Sequence, residues 1–517
     1  MFKDENHSEE ILQAVETEES TEQTEQTANI DEECTEECAH CEGENSECEQ
    51  CSASNDEIFE DPIITCTYRF IHSVADVEEA LEQFVPLAFD KAEKQSDFIL
   101  EQYKLADQYA KDESSQTMSA SIILKTNRLS DRYVKSQVPR TLVKSLFLNI
   151  FSDFDTFTGE LLASIYEKKP VLYQSISKNV PFSDILKYAD IDTLKTRILS
   201  EDIENFRRKS YVEQFDELEK QFSIKTLKDF KNWAVFVEAT QRRNLFMHCD
   251  GIVSEQYIKI CSEHKCDLKN VKVGDKLTLS YGYLTQVLDV MSEVAIKLAN
   301  VLWRKVLPEE TELSDDALHH FVFDYLNDEK WARAINIADF VRHTARSKTD
   351  LMQKINLINL VIAHKFSGSQ DIAKKILRSQ DWSASIHDFR LSAAVLEDDF
   401  DEAHALMLQI GVSSDLICER AYLEWPLFKQ FRNTEQFLSA FAEVYGYPFI
   451  TKMQQSAHDH EKEVDEKDIS MIQVVSDEDE TSSDNELSDA SEKLEDDSED
   501  NIDSEAIKPT GTCSDKP

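Results

Sequence analysis

Glycine and proline are scarce in this chain, nine and ten among 517 residues. A turn-rich all-β fold needs both at its many reversals, so their shortage disfavours that class and suits an all-α protein. No run of eighteen apolar residues occurs, and nothing reads as a transmembrane helix. The first residues, Met1-Phe2-Lys3-Asp4-Glu5-Asn6, lack the charged-then-apolar build of a secretory signal. A cytoplasmic location with no membrane partner is the expectation. Positive charge is short as well: 55 Lys and Arg face 102 Asp and Glu, for a formal net charge of −47. Taken as a whole, that balance is hostile to nucleic acid.

The deficit is unevenly placed. Residues 1–60 carry about −20 and residues 456–517 about −17, which leaves about −10 for everything between. Both ends are poor in large apolar residues and are expected to be disordered acidic segments. The C-terminal one mixes Ser with Asp and Glu, and includes Ile472-Gln473-Val474-Val475, a short strand-forming docking peptide by its pattern. The plain reading is a solvating tail; competition with RNA for a basic site, or acceptance of phosphate, is the regulatory one.

Five of the 11 cysteines fall in the N-terminal acidic segment: Cys34, Cys38, Cys41, Cys48 and Cys51. Cys38-x-x-Cys41 and Cys48-x-x-Cys51 form paired knuckles, beside His40. Four thiolates could hold a tetrahedral structural zinc and close a small loop in a segment with no core of its own. Disordered thiols and a redox or disulfide role are the alternatives, since the spacer is short and acidic neighbours raise thiol pKa values. Cys249, Cys261 and Cys266 are scattered, and Cys249 reads as structural.

Between the ends, periodicity marks three regions. Residues 61–135 read as a helical arm, clearest from Val77 to Leu105, with a polar break at Lys111–Thr117. Residues 136–306 read as a helical bundle. Its core helix runs from about Thr141 to Leu162, with Phe147, Phe151, Phe154 and Phe157 as packing residues. Helices follow at Phe182–Tyr188 and Ile191–Lys209, where Arg197, Arg207 and Arg208 with Lys195 and Lys209 make either an RNA-facing edge or a solvated face. A motif helix is expected over Ile224–Cys249, a hairpin or loop around Gly274, and a closing helix over Tyr281–Leu302. Residues 311–450 echo themselves. Asp328-Glu329-Lys330-Trp331-Ala332-Arg333-Ala334 returns as Asp398-Asp399-Phe400-Asp401-Glu402-Ala403, and more briefly as Gln370-Asp371-Ile372-Ala373. Small residues at matching positions inside amphipathic helices, 30 to 40 residues apart, suggest a tetratricopeptide-like (TPR-like) solenoid for a protein or peptide partner.

The strongest functional pattern is Gln241-Arg242-Arg243-Asn244-Leu245-Phe246-Met247-His248-Cys249-Asp250-Gly251. Leu227, Phe230, Ala234 and Val237 recur at spacings of three and four, and the same stripe continues as Gln241, Asn244 and His248. A face that should feed a core turns polar in its last turns. Arg243 lies beside Asn244, and Asp250-Gly251 supplies a helix stop. An arginine fork suits phosphoryl oxygens, and a histidine moves protons near neutral pH. Together they could cleave RNA without a metal or other catalytic cofactor, with Asn244 orienting either partner. The plainer reading is a helix that reaches the surface.

These residues resemble the HEPN superfamily, whose endoribonucleases carry an Arg, a polar residue directly after it, and a His four to six residues past the Arg. Arg243, Asn244 and His248 fill those slots, and the phrase continues through Cys249-Asp250-Gly251-Ile252-Val253 to Tyr257. The likeness extends loosely from about Val138 to Trp303. It implies an all-helical bundle, a homodimer with the two motifs facing each other, and catalytic roles for Arg243, Asn244 and His248. Some HEPN domains lack nuclease activity and serve in binding. Two functions therefore compete: a metal-independent endoribonuclease, for which a defence or toxin-type effector is one setting, and a silent dimerising adaptor.

Overall fold

Side-chain caps open eight of the described α-helices. The computed structural model describes residues 61–455 and 457, apart from 177, 178, 189, 345–348 and 415. The paired cysteines 38, 41, 48 and 51 and the acidic ends lie outside the described residues. Among those described, regular structure is helical, and the one β-type pairing is an isolated bridge between Ile252 and Lys276. No described helix is long and apolar enough to cross a membrane. The chain divides into two compact units, one ending at Asp381 and the other starting at Trp382.

In the first unit α1 (Pro62–Ala110) starts where the Asp61 side chain accepts from the Ile63 N–H, with Pro62 in the first turn. Its opening turns bury Ile63, Ile64, Phe70, Val74, Val77 and Leu81 in the same core as the helices below. Beyond Leu81 the helix packs on α2 (Gln116–Lys135), through a seam of Ala88, Ala92, Ser96, Ile99, Tyr103 and Ala106. The Ser119 hydroxyl donates to the Ala106 carbonyl at 2.8 Å, and Tyr103 donates to Asn127 at 2.8 Å, which fixes the two helices antiparallel.

The core centres on α3 (Val138–Lys168). Phe147, Phe151, Phe154 and Phe157 are all fully buried, as their spacing requires. The Phe154 ring lies 5.5 Å from Phe70, 5.9 Å from Tyr211 and 5.8 Å from Phe236, edge-on or tilted, the arrangement aromatic quadrupoles favour. Short α4 (Phe182–Ile185) leads to α5 (Ile191–Arg207). A capping box of Ser210 and Glu213 opens α6 (Tyr211–Gln221). Then come α7 (Trp233–His248), α8 (Glu255–Glu263) and α9 (Tyr281–Val306), the last capped by Ser280 and buried along most of its length. The stretch 265–280 is a loop and not a hairpin, pinned to 251–253 by backbone hydrogen bonds.

The sequence echo in 311–450 has a definite structural counterpart. It joins α10 (Thr311–Asn327) to α11 (Trp331–Thr344), α12 (Asp350–Phe366) to α13 (Gln370–Leu377), and α14 (His387–Leu396) to α15 (Phe400–Ile410). Each pair is linked by the same Schellman turn, with one left-handed residue: Glu329 (φ 57°), Gly368 (φ 85°) and Asp398 (φ 63°). The next residue's N–H reaches back to the helix end, Lys330 to Tyr325 at 2.8 Å, Ser369 to His364 at 2.9 Å and Asp399 to Ala394 at 2.9 Å. Ala334, Ala373 and Ala403 follow one turn later, all buried. A larger side chain there would hold the paired helices apart. In the second unit α14 and α15 are joined by α16 (Glu419–Glu424) and α17 (Glu435–Tyr445), packed around Tyr422, Phe428, Phe431, Phe437 and Phe441.

One histidine in α10 is expected to make the fold acid-sensitive. Both ring nitrogens of His319 are buried without a hydrogen-bond partner, and burial, with a lesser push from His320, drives its pKa down to about 4. In the unfolded chain the ring protonates near 6.5. As pH falls from 6.5 towards 4 the unfolded state therefore takes up a proton that the folded state refuses, and stability is lost across that window. From pH 7 to pH 5 the wild type is expected to lose about 2 kcal/mol more than His319→Leu, read from urea midpoints. Parallel losses in the two proteins would remove His319 as the cause.

Candidate functional site

The motif helix begins nine residues later than the apolar spacing suggests. After α6 the chain turns through Ser223 (φ 50°), and the Glu219 carboxylate takes the Leu227 N–H at 3.1 Å while pairing with Lys228 at 2.9 Å. Leu227 and Phe230 still reach the core, but from this turn. From Trp233 on, α7 presents Phe236, Val237, Ala239 and Thr240 inward. The stripe Gln241, Asn244, His248 then runs from buried through half-buried to exposed.

Neighbouring arginines on this helix do different things. Arg242 is turned into the protein. It donates to Glu238 at 2.8 Å and to the Thr278 carbonyl at 3.2 Å, and its guanidinium lies 3.9 Å from the centre of the Tyr283 ring. The same Glu238 accepts from Tyr257 at 2.6 Å and from Tyr283 at 2.8 Å. Burial, and then the Glu238 charge, push both phenols well above their ordinary pKa. Every charge here has a partner, so this is a structural network.

Arg243 is less satisfied. Its Nη1 donates to the Asn244 side-chain oxygen at 3.2 Å, while its buried Nε has no acceptor. The guanidinium charge acts on Asp155 and Tyr211 of neighbouring helices. Burial lifts the Asp155 pKa, against the pull of Tyr211, Arg243 and Arg207, and one of its carboxylate oxygens is buried without a partner. Arg207 arrives from α5, donates to the Asp155 carbonyl at 2.5 Å and lies over Gly159, where a Cβ would come within 2.9 Å of the guanidinium carbon. His248 closes α7 with an exposed side chain, and among the described residues it makes no hydrogen bond to Arg243 or Asn244. The structure thus joins Arg243 to Asn244 and leaves His248 free in solvent at the end of the same helix.

Asp250 (φ 47°) and Gly251 (φ 78°) stop the helix as their sequence suggests, and the Gly251 N–H closes on the Leu245 carbonyl at 3.1 Å. A Cβ on Gly251 would lie 3.1 Å from Phe246 and 3.2 Å from the Leu277 carbonyl, in a backbone region that costs an L-residue free energy. Gly251→Ala is expected to destabilise the protein by about 2 kcal/mol. A thermal melt superimposable on wild type would show that the turn tolerates the change.

The basic side chains of α5 do not form an open edge. Lys195 pairs with Asp192 at 2.9 Å, Arg197 with Glu201 at 2.8 Å, Arg208 with Glu204 at 3.4 Å and Lys209 with Glu217, while Arg207 points inward. These cations stay exposed to solvent in their pairs. Sequence reasoning did not foresee Asp155, Arg207 and Tyr211 beside Arg243, or Glu238, Tyr257 and Tyr283 beside Arg242. Only the Glu238–Arg242 spacing of four could have flagged any of them. No group of three or more metal-ligating side chains occurs among the described residues. No protein family, no curated protein and no solved structure matches the chain.

Proposed function

We propose that the chain is an endoribonuclease that needs no metal, with Arg243, Asn244 and His248 as its working residues and a homodimer as its active form. The observation that supports this most is the division of labour on α7. Arg242 is consumed by a complete internal network, whereas Arg243 is half-buried with no carboxylate pair among the described residues and bonds the Asn244 side chain, and His248 stands in solvent with no structural task. In the reaction, one His248 takes the proton of a ribose 2′-hydroxyl as its oxygen attacks the adjacent phosphorus. The bond to the 5′-oxygen breaks, and that oxygen receives a proton from the second copy's His248. Arg243 stabilises the charge that builds on the phosphoryl oxygens, and Asn244 holds the guanidinium.

RNA cleavage in EDTA tests this, comparing wild type with Arg243→Ala/His248→Ala and mapping the product ends. Cuts that leave 2′,3′-cyclic phosphates in the wild type alone are the expected result. A folded dimer that leaves total cellular RNA intact would favour the second reading, a dimerising adaptor. Two observations support that one: the paired basic residues at and just after α5, and the two repeated helix pairs of the first unit, α10 with α11 and α12 with α13, whose turns suit a TPR-like surface for a peptide or protein.

A further inference from the structure

The C-terminus of α8 repeats the Schellman turn seen in the later helix pairs, but with cysteine at both contact positions. Lys265 holds the left-handed conformation (φ 58°), its N–H bonds Ser262 at 3.2 Å, and the Cys266 N–H reaches the Cys261 carbonyl at 2.8 Å. Such a turn places the third-from-last helical residue against the second residue beyond the cap, where an apolar pair normally sits. Here that pair is Cys261 and Cys266, with Cys266 packed against the small cluster that holds Cys261. Cys266 also donates to the Ala234 carbonyl of α7 at 3.1 Å. Cys261 is fully buried between Leu245, Val253 and Tyr257, while Cys266 is partly open to solvent.

We propose that Cys261 and Cys266 form a redox-active dithiol, closing to an intramolecular disulfide by exchange with a low-molecular-weight disulfide such as oxidised glutathione. The asymmetry of the pair assigns the order of events. Cys266 is the accessible thiol, and the Cys261 thiol beside it holds its pKa below the usual value. The same pairing, and then burial, keep Cys261 protonated. The Cys266 thiolate attacks the glutathione disulfide, a mixed disulfide forms and one glutathione leaves as thiolate. Cys261 then gives up its proton and attacks the Cys266 sulfur, expelling the second glutathione. Two protein thiols are oxidised and one glutathione disulfide is reduced to two thiols. The turn and the small apolar cluster already bring the two residues together, so closure to a bond of about 2.05 Å is expected to need side-chain rotation rather than movement of the helices. Oxidation removes the S–H that Cys266 donates to the first turn of α7. The proposal is independent of the nuclease reading.

The test uses the full-length chain, incubated with oxidised glutathione, blocked with N-ethylmaleimide and digested with trypsin. Cleavage after Lys259, Lys265 and Lys269 puts the two cysteines on separate short peptides. The expected product is a disulfide-linked pair of Ile260–Lys265 with Cys266–Lys269, and the loss of both thiols from alkylation. In Cys261→Ser a glutathione adduct on Cys266 is expected to accumulate instead. Three wild-type results would overturn the proposal: both thiols still alkylated, a persistent glutathione adduct on Cys266, or Cys266 linked to any other cysteine.

Discussion

Alanine at His248 is expected to cut RNA cleavage by about a hundred- to ten-thousand-fold, the usual worth of a general acid or base. The stability of the protein should stay within about 0.5 kcal/mol of wild type, because an exposed residue outside any cap or network has little to lose. This pairing of large and negligible effects follows from where the side chain sits. His248 ends α7 in solvent, and its neighbours Met247 and Cys249 are exposed too. Arg243→Ala is a poorer probe. Its guanidinium is half-buried, bonds Asn244 and acts on Asp155 and Tyr211, so activity and folding would fall together. Two measurements on one preparation decide the matter: initial cleavage rates in EDTA and a thermal melt. Cleavage lost with the melt unchanged supports chemistry at His248. Full cleavage in the variant would remove His248 from the mechanism, and lost cleavage with a collapsed melt would return it to a structural role.

The parts of this fold that could be read from the sequence are those that rest on local repetition. The four phenylalanines of α3 fall three and four apart and are all buried, because one face of a helix must serve the core. The echo around Glu329, Gly368 and Asp398 was visible because the same turn makes the same local demand each time: a left-handed residue and, one turn later, a small one. The start of α7 was not legible. Leu227 and Phe230 fall in phase with Ala234 and Val237 by coincidence, and the helix is withheld from them by Glu219, a side chain of the preceding helix. The depth of α1 was missed in a similar way, although Asp61-Pro62 is a helix-start signal, because its burial depends on α3 and α9. Within the candidate site the three motif positions were legible as a pattern. Which of the paired arginines faces inward was not, since that choice is made by Tyr257 and Tyr283, 15 and 41 residues beyond Arg242 along the chain.

That inward choice carries the largest stability effect expected of a single residue here. Glu238→Ala should destabilise the protein by about 3–5 kcal/mol, the cost of stranding one partner of a buried ion pair. Three donors lose their acceptor at once: the Arg242 guanidinium and the hydroxyls of Tyr257 and Tyr283. Water cannot readily replace the carboxylate, since Glu238 is only 9% exposed. Glu238→Gln keeps a carbonyl acceptor in place and removes the charge, so its cost should be clearly smaller. Urea denaturation of the two variants tests the order. A Glu238→Ala loss below about 1 kcal/mol would mean that the network is solvated and contributes little. Arg242 and Arg243 are adjacent, and successive residues of a helix point about 100° apart. Holding the first inward therefore fixes the direction in which the second, half-buried and bonded to Asn244, leaves the helix. Loss of Glu238 is expected to loosen that constraint as well as the fold. At a temperature where Glu238→Gln remains fully folded, a fall in cleavage would show that the buried network sets the geometry of the motif residues.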